Sequence, residues 1–243
     1  MPVVAVIPAR YNSKRFPGKP LIDIAGKPMI RRVYEQALLC KGVDHVVVAT
    51  DDTRILDAVN AFGGNAVMTN PECNSGTDRV AQAVKSIRPG RKGQAGIVIN
   101  IQGDQLIFDP DALTDMIHVL SNGCPMATIA TKASLKDMEN CDVVKVVCNE
   151  KGDALYFSRA PIPYLRNPGV YSPLKHIGIY GFDKNTLKRI TTLAPSPLEK
   201  CESLEQLRAL ENGIPIKIIV SSGEFFEINT PGDRDAFLSR WQG

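Results

Sequence analysis

The side chains best suited to chemistry in this sequence lie in a basic loop near the N-terminus. The segment PARYNSKRFPGKP follows a short apolar run and carries Arg10, Lys14, Arg15 and Lys19 within ten positions, with Gly18 near its end. A bound triphosphate requires several cations and free backbone N–H groups around a tight turn. The loop therefore predicts a triphosphate site, although a solvated basic loop has the same composition. The sequence contains neither a Walker A loop nor a GxGxxG fingerprint, which argues against a P-loop enzyme and a Rossmann dehydrogenase.

Two later loops carry a carboxylate and a set of hydroxyl groups. Asp104 lies in INIQGDQ, just after an apolar run, where a carboxylate opposite a cationic loop can hold Mg²⁺ on phosphates. A turn cap is the alternative role, since Asp after Gly is common in turns. Ser75, Thr77 and Arg79 lie in NSGTDR before a predicted helix. These residues suit a ligand, but the same residue types also cap helices.

The three histidines have different predicted roles. His45 and His118 lie in a predicted strand and a predicted helix, and we interpret both as structural. His176 and Tyr180 alternate with isoleucines in KHIGIYGF, so they share the polar face of a predicted strand with Gly178. That face suits a hydroxylated or acidic substrate, and a solvent-facing sheet surface is the alternative.

A further polar set lies near the C-terminal third of the chain. Glu202, Glu205 and Arg208 are spaced by three residues in a predicted helix over 198–211, which puts them on one side of it. Both a surface ion pair and the wall of a site have this pattern.

The predicted elements bring the chemical loops to one edge of a sheet. Apolar runs alternate with amphipathic helices in an order of βαβαβαβ, which predicts a parallel sheet with helices on both faces. The predicted strands are 3–8, 45–50, 66–69 and 96–101. Ligands bind such sheets beyond the carboxyl ends of the strands. The polar loops expected there are 8–19, 50–53, 75–79 and 102–109.

The second half of the sequence is richer in strand signals. Its predicted strands are 143–149, 154–158, 175–182, 216–221 and 225–228, with a closing helix at 231–241. The first two are expected to form a hairpin around Lys151 and Gly152. We therefore predict an α/β core formed by 1–130 and 215–243, with a smaller β-rich portion at 130–215.

Composition excludes several classes of protein. The 243 residues are 44% hydrophobic and 23% charged, as is usual for globular domains, and the net charge of +3 is too small for a nucleic-acid binder. No apolar run is long enough to insert into a membrane, and the N-terminus lacks the order of a signal peptide. The six scattered cysteines are expected to be reduced and mostly buried. A cytoplasmic protein is the resulting prediction.

The motifs together resemble the 3-deoxy-manno-octulosonate (Kdo) cytidylyltransferase family along nearly the whole chain. PARYNSKRFPGKP, VATDD, SGTDR and NIQGD occur in the family's order, followed by ALYFSR, KHIGIYGF and LEQLRALENG. The basic loop and QGD are shared with other nucleotidyltransferases, whereas the last three motifs narrow the resemblance to Kdo-type enzymes. The resemblance implies an α/β fold with a mostly parallel, Rossmann-like sheet of the nucleotide-diphospho-sugar transferase type, and a smaller β-rich portion for dimerisation.

The resemblance also implies a reaction and the residues that perform it. CMP is expected to pass from CTP to the anomeric hydroxyl of Kdo, an acidic octulosonate sugar, with release of pyrophosphate, for lipopolysaccharide biosynthesis. Mg²⁺ is the implied cofactor, and the implied assembly is a homodimer. The expected catalytic residues are Arg10, Lys19 and Asp104. The expected CTP-binding residues are Ala9, Arg10, Arg15, Lys19, Ser75, Arg79 and Gln102. The expected sugar-binding residues are Gln102, His176, Tyr180 and Glu205.

Two segments depart from the family pattern. The family's VDTP near the C-terminus is INTP here, so Asn229 replaces an aspartate that joins Asp104 at the metal. An amide oxygen carries no net charge, so Mg²⁺ is expected to bind more weakly, with Glu227 as the candidate substitute two residues earlier on a strand. The family's QGDEP is QGDQL here, with Gln105 and Leu106.

These departures leave alternatives open. The sugar is Kdo in the leading hypothesis, and 8-amino-3,8-dideoxy-manno-octulosonate or another acidic sugar in the alternative. A nucleotide-binding homologue with impaired catalysis is the hypothesis from a different functional class.

Overall fold

Two structural units make up the chain in the computed structural model, which describes residues 1–12, 16–73, 75–87, 95–167 and 169–240. The first unit comprises Met1–Thr114 and Glu224–Gly243, and the second comprises Asp115–Gly223. The predicted β-rich portion, 130–215, falls inside the second unit. That unit starts earlier because it also contains a strand at Met126–Lys132, which the sequence analysis did not identify.

The first unit alternates strands and helices as predicted. Its elements up to residue 114 are β1 (Val3–Ala9), a 3-10 turn (Lys19–Leu21), β2 (Asp23–Ile24), β3 (Lys27–Pro28), α1 (Met29–Leu38), β4 (His45–Thr50), α2 (Thr53–Ala61), β5 (Ala66–Met68), α3 (Gly76–Ser86), β6 (Ile97–Asn100), β7 (Gln105–Ile107) and the start of α4 (Pro110–Ser121).

A parallel sheet in the order β6-β1-β4-β5 forms the core of this unit. All of β1 is buried, as expected for an apolar strand covered on both faces. The register pairs Ala9 with Thr50 and Val6 with Asn100. The carboxyl ends of β1, β4 and β6 therefore lie at one edge, and the loops that follow them start there.

The second unit contains a mostly antiparallel sheet. After the end of α4, its elements are β8 (Met126–Lys132), α5 (Leu135–Glu139), β9 (Lys145–Cys148), β10 (Ala154–Ser158), β11 (Leu174–Asp183), α6 (Lys184–Ile190), α7 (Pro197–Glu202), α8 (Gln206–Glu211) and β12 (Ile216–Val220). The strands pair in the order β10-β9-β11-β8-β12, with β12 parallel to β8. The predicted hairpin is confirmed as β9–β10, and Gly152 in its turn has a φ of 78°.

One predicted helix is wrong. The segment 198–211 forms two short helices, α7 and α8, because Ser203 adopts the left-handed conformation (φ 53°) and ends α7. Leu204, which follows, is buried. Burial of this apolar side chain offsets the unfavourable left-handed conformation of Ser203. The helical spacing of the polar residues did not reveal this break.

The chain then returns to the first unit through β13 (Phe226–Glu227) and α9 (Pro231–Arg240). β13 pairs with β7, and its neighbour Ile228 joins a buried cluster with Ile24, Met29, Leu106 and Phe237. This hydrophobic contact fixes the C-terminal segment beside the loop that carries Asp104.

No helix in the described part of the chain is both long and apolar enough to cross a membrane. All six cysteines are free thiols, but only Cys40 is buried; Cys141 and Cys201 are exposed. The expectation that the cysteines are mostly buried is therefore wrong.

Candidate active site

The basic loop and the loop after β6 meet in an ion pair. Lys19 Nζ lies 2.6 Å from Asp104 Oδ2, and both side chains are largely shielded from solvent. Gly18 positions this lysine: its φ of 72° is open to glycine, and its N–H donates to the Tyr11 carbonyl at 2.8 Å. Lys19 thus reaches the carboxyl edge of the sheet from the far end of the loop.

A second glycine permits close approach of the two loops. A Cβ on Gly103 would lie 2.8 Å from the carbonyl oxygen of Pro8, at the end of β1. Only a residue without a side chain allows the QGD turn this near the strand. The turn is closed by the Gln105 N–H, which donates to the Gln102 carbonyl at 3.0 Å. Asp104 is therefore held by backbone packing as well as by its ion pair.

The C-terminal segment brings a second acidic group to this region. Asn229 Nδ2 donates to Glu227 Oε1 at 2.8 Å, so the two residues do face the same side, and the Ile228 N–H donates to the Asp104 carbonyl at 3.0 Å. Desolvation by surrounding protein and the charge of Asp104 raise the pKa of Glu227, even though the residue retains exposed surface. The carboxylates of Asp104 and Glu227 therefore interact electrostatically at this edge of the sheet.

The donor set suits one hard divalent cation that takes its other ligands from substrate. Among the described residues, no group of three or more His, Cys, Asp or Glu side chains is arranged to hold a metal ion. Asp104 and Glu227 supply two carboxylates, and Asn229 supplies an amide oxygen. Mg²⁺ typically takes one or two protein carboxylates and completes its shell with waters and phosphates. The residues present fit that ion.

Arg10 and the helix α3 border the same edge. Arg10 is exposed, and its guanidinium donates to the Cys73 carbonyl. Ser75 caps α3 by accepting from the Asp78 N–H at 3.1 Å. The structure thus gives Ser75 the capping role that its residue type allows, at a helix N-terminus that follows the loop contacted by Arg10.

Arg79 lies inside the unit. Its side chain is fully buried, with Nη2 2.7 Å from Asp51 Oδ2 and Nη1 donating to Thr69 Oγ1. Its Nε is buried and has no partner within the described residues. In this conformation Arg79 ties α3 to the ends of β4 and β5. Its role in a cytidine pocket remains a prediction.

Ala9 and Gln102 lie at the ends of neighbouring strands. Ala9 is buried as the last residue of β1. Gln102 Nε2 donates to Asn100 Oδ1 at 3.4 Å, and its amide lies beside Gly76 at the start of α3. The buried Nδ2 of Asn100 lacks a partner in the part of the chain that is described. The predicted residues Lys14 and Arg15, and Asn74, lie outside the described residues.

The predicted sugar residues of the second unit are close to one another. The rings of His176 and Tyr180 lie 5.3 Å apart on β11, so their predicted common face is confirmed. Phe157 lies 5.2 Å from His176, and Phe182 lies 6.1 Å from Tyr180. The face is therefore aromatic, where the sequence analysis predicted a polar one. Alternation within a strand does not reveal the phenylalanine that β10 contributes.

Burial among these rings sets the charge of both polar members. Desolvation lowers the pKa of His176 to about 3, so the imidazole is neutral near pH 7. Desolvation and then the charge of Glu205 raise the pKa of Tyr180. The structure thus brings Glu205 into electrostatic contact with Tyr180. In neutral form, these side chains offer hydrogen bonds beside one carboxylate.

The predicted common side of Glu202, Glu205 and Arg208 is not observed, because the helix is broken at Ser203. Arg208 instead pairs with Glu199, with Nε 2.7 Å from Oε2. Glu202 accepts hydrogen bonds from Ser158 Oγ at 2.6 Å and from the Arg159 N–H at 2.9 Å. Glu199 and Glu202 therefore both have structural partners within the second unit.

Thr128 and Lys145 are two of the buried polar residues that the sequence did not reveal. Thr128 lies in the apolar run MATIATK, where no motif signals it, yet its hydroxyl contacts His176 Nε2 at 2.9 Å. Lys145 is fully buried, and its Nζ donates to the carbonyls of Asn140 at 2.9 Å and Val143 at 2.7 Å. A lysine in VKVV resembles an exposed strand residue until the surrounding carbonyls are known.

Comparison with known proteins gives consistent similarities. A family model described as cytidylyltransferase matches residues 4–218. The 3-deoxy-manno-octulosonate cytidylyltransferase of Anaeromyxobacter dehalogenans is 49% identical over 233 residues, covering 95% of this chain and 94% of that protein. The structure of a CMP:2-keto-3-deoxy-manno-octonic acid synthetase complexed with CTP has a TM-score of 0.90 and 42% identity, and 98% of each chain is covered.

A more distant structure is similar in fold alone. The 4-diphosphocytidyl-2C-methyl-D-erythritol synthase from Anaerococcus prevotii is 15% identical with a TM-score of 0.64, covering 98% of this chain and 99% of that one. Together the structural similarities confirm the predicted fold class, a mostly parallel α/β sheet of the nucleotide-diphospho-sugar transferase type.

Proposed function

Because the chain belongs to the 3-deoxy-manno-octulosonate cytidylyltransferase family, we propose that it transfers CMP from CTP to the anomeric hydroxyl of Kdo. The products are CMP-Kdo and pyrophosphate, and CMP-Kdo serves lipopolysaccharide biosynthesis. The observation that carries the proposal is the pairing of Lys19 with Asp104 at 2.6 Å, at the carboxyl edge of the parallel sheet. There a cationic loop and a carboxylate are held together.

The reaction is a displacement at phosphorus. The anomeric oxygen of the sugar forms a bond to the α-phosphorus of CTP, and the bond from that phosphorus to pyrophosphate breaks. The hydroxyl proton passes to solvent water as the new bond forms, and pyrophosphate leaves with the electron pair of the broken bond. Such a step requires alignment and neutralisation of charge more than covalent catalysis. Arg10 and Lys19 are the described cations that supply this neutralisation.

Asp104, Glu227 and Asn229 are the residues that would hold Mg²⁺. Bound there, the ion would neutralise charge on the triphosphate and polarise the phosphoryl oxygen. The chain's own contribution is to keep the two carboxylates in place. Asp104 is fixed by Lys19, and Glu227 by the amide of Asn229.

The second unit supplies the groups proposed to contact the sugar. His176 and Tyr180 are neutral and packed among aromatic rings, and Glu205 lies near Tyr180. Neutral donors and acceptors on a rigid strand suit a polyhydroxylated ligand, since each unpaired hydroxyl in such a site weakens binding.

We also propose that two copies of the chain associate in the cytoplasm through the second unit. Large apolar side chains are exposed there, with Tyr164 88% and Val170 82% accessible. Both side chains line a groove together with Val147 and Leu165. Exposed apolar groups of this kind are typical of protein interfaces. Sedimentation of wild-type protein and Tyr164→Glu tests this: the wild-type chain should sediment as a dimer and the variant as a monomer, and a monomeric wild-type chain would refute the proposal.

The function is tested by pyrophosphate release. Purified protein is given CTP with Kdo, with 8-amino-3,8-dideoxy-manno-octulosonate, or with no sugar, across a Mg²⁺ titration. Turnover with Kdo above the sugar-free rate supports the proposal. Turnover with only the amino sugar would show that this sugar, and not Kdo, is the substrate. No turnover in a folded protein that still binds CTP would favour another acidic sugar or impaired catalysis.

A further inference from the structure

The buried Thr128 hydroxyl has three hydrogen-bonding neighbours but only one hydrogen to donate. It lies in β8 with no exposed surface. Its Oγ1 is 2.9 Å from His176 Nε2, 2.7 Å from the Ile179 carbonyl and 3.2 Å from the Ile177 carbonyl. All three partners belong to β11, so this one hydroxyl joins the two strands at the point where the predicted sugar residues lie.

An irregularity in β11 explains why carbonyl oxygens point at Thr128. The β8–β11 register runs from Ile177 opposite Ile129 directly to Tyr180 opposite Thr128. Gly178 and Ile179 are therefore extra residues, and they bulge out of the ladder. Buried carbonyl groups require a donor, and the Thr128 hydroxyl is the side-chain donor at the bulge.

Counting hydrogens determines the state of the imidazole. A hydroxyl has one hydrogen to donate and can accept through its lone pairs, while a carbonyl can only accept. The Thr128 hydrogen is directed to the bulge, where Ile179 offers the shorter contact. The remaining close atom, His176 Nε2, must then donate to Oγ1. An unprotonated Nε2 would leave three acceptors facing one hydrogen.

The protonation state of Nδ1 follows from the neutrality of the imidazole. His176 lies between Phe157 and Tyr180, and desolvation there lowers its pKa to about 3. A neutral imidazole carries one N–H, so protonation of Nε2 leaves Nδ1 with a lone pair. His176 is only partly buried, and its Nδ1 has no hydrogen-bond partner among the residues that the structure describes.

We propose that Thr128 is a positioning residue that holds His176 as the Nε2–H tautomer, so that Nδ1 is presented to the substrate as a hydrogen-bond acceptor. The part of this inference that concerns substrate binding rests on the proposed function. An acceptor at this position binds a sugar hydroxyl or an ammonium group. It repels a carboxylate, so the carboxylate of the acidic sugar must point away from His176.

The first test is nuclear magnetic resonance of protein labelled with ¹⁵N at histidine, in the absence of ligands. The chain has three histidines, so the spectrum is simple, and His176→Gln identifies the His176 signals. We expect a protonated Nε2 whose hydrogen exchanges slowly, and an unprotonated Nδ1. A protonated Nδ1 in the wild-type protein would overturn the proposal without any substitution.

The second test removes the hydroxyl. Thr128→Val keeps the shape of the side chain, and Thr128→Ser keeps the hydroxyl as a matched control. In the valine variant we expect fast exchange at Nε2 and a mixture of tautomers, with KM for the sugar raised about tenfold and KM for CTP unchanged, the size of one lost hydrogen bond. The serine variant should match the wild type in the spectrum and remain within about twofold in KM.

The two tests separate the two halves of the inference. If the enzyme turns over none of the sugars, the spectrum of the free protein still supports or refutes the tautomer. If the spectrum confirms the tautomer but Thr128→Val leaves the sugar KM unchanged, the presentation of Nδ1 to substrate is refuted. An unchanged His176 spectrum in Thr128→Val refutes the role of Thr128 itself.

Discussion

The two units prepare polar groups for ligands in different ways. In the first unit, loops after parallel strands carry charges that pair with each other, as Lys19 does with Asp104. In the second, a bulged antiparallel strand carries neutral groups packed among aromatic rings, as His176 is between Phe157 and Tyr180. Charge suits a triphosphate, whereas a rigid neutral surface suits sugar hydroxyls. Charged groups are therefore presented by loops after parallel strands, and neutral groups by a bulged antiparallel strand.

Removing a charge from the first unit should have the largest effect on activity. Lys19→Ala should reduce kcat by about a hundredfold or more, because a preorganised cation at the phosphates is lost. The control is Lys27→Ala, which removes a more exposed lysine paired with Glu35 at 2.7 Å. It should keep nearly full activity. Steady-state kinetics and circular dichroism of both variants provide the check, and near-normal turnover in Lys19→Ala would remove the loop from the mechanism.

Disturbing the loop contact should cost stability as well. Gly103→Ala places a Cβ against the Pro8 carbonyl at 2.8 Å, so one backbone segment must shift. We expect a loss of about 2 kcal/mol in the free energy of unfolding, with reduced turnover. Gly232→Ala in α9, where the nearest atom lies 3.6 Å away, is the control and should be neutral or stabilising. Urea unfolding curves measure both variants, and equal midpoints would contradict the packing argument.

Changing the acidic groups should shift the Mg²⁺ requirement without abolishing activity. Asn229→Asp should lower the Mg²⁺ concentration for half-maximal rate by roughly five- to tenfold, and Glu227→Gln should raise it by a similar factor, on the order of 1 kcal/mol. Asp235→Asn, an exposed charge change on α9, should leave the requirement as it is. An unchanged requirement in Asn229→Asp would refute the idea that the amide weakens the site.

The last expected effect is a pH dependence of the free energy of unfolding, contributed by His176 in the second unit. The folded pKa of His176, about 3, lies below the unfolded value of about 6.5, so the unfolded chain binds more protons between these values. The stabilisation is complete above about pH 6.5 and declines as the pH falls toward the folded value, by at most about 1.4 kcal/mol per pH unit. Urea unfolding at pH 7 and pH 5 should therefore show a smaller drop for His176→Gln than for the wild type. Equal drops would mean that this imidazole titrates normally in the folded state.

Much of the first unit follows from local sequence. The apolar runs that become β1, β4 and β6 are buried on both faces, and such runs have few other stable placements than a covered parallel sheet. The ends of parallel strands share one edge, so the placement of Lys19 and Asp104 near each other was predictable. The glycines at 18 and 103 meet requirements that are visible only once the turn geometry is known.

The second unit was less predictable, because its determinants are contacts between distant segments. The predicted helix over 198–211 breaks at the left-handed Ser203, the following Leu204 is buried, and Arg208 pairs with Glu199. A spacing of three residues cannot predict that break. Arg79 is a similar case in the first unit, since a charged residue in a polar motif is fully buried against Asp51.

Neighbours along the chain set the strand–helix order, the charged loops at the strand ends and the family resemblance, so these features could be predicted without the structure. Contacts between distant segments determine which polar groups are buried and which of them carry a proton. The Thr128 hydroxyl meets His176 from a position 48 residues earlier, across a bulge that no residue pattern signals. Burial and hydrogen-bond partners are set by packing between distant segments, and packing fixes the protonation of an imidazole as firmly as its position.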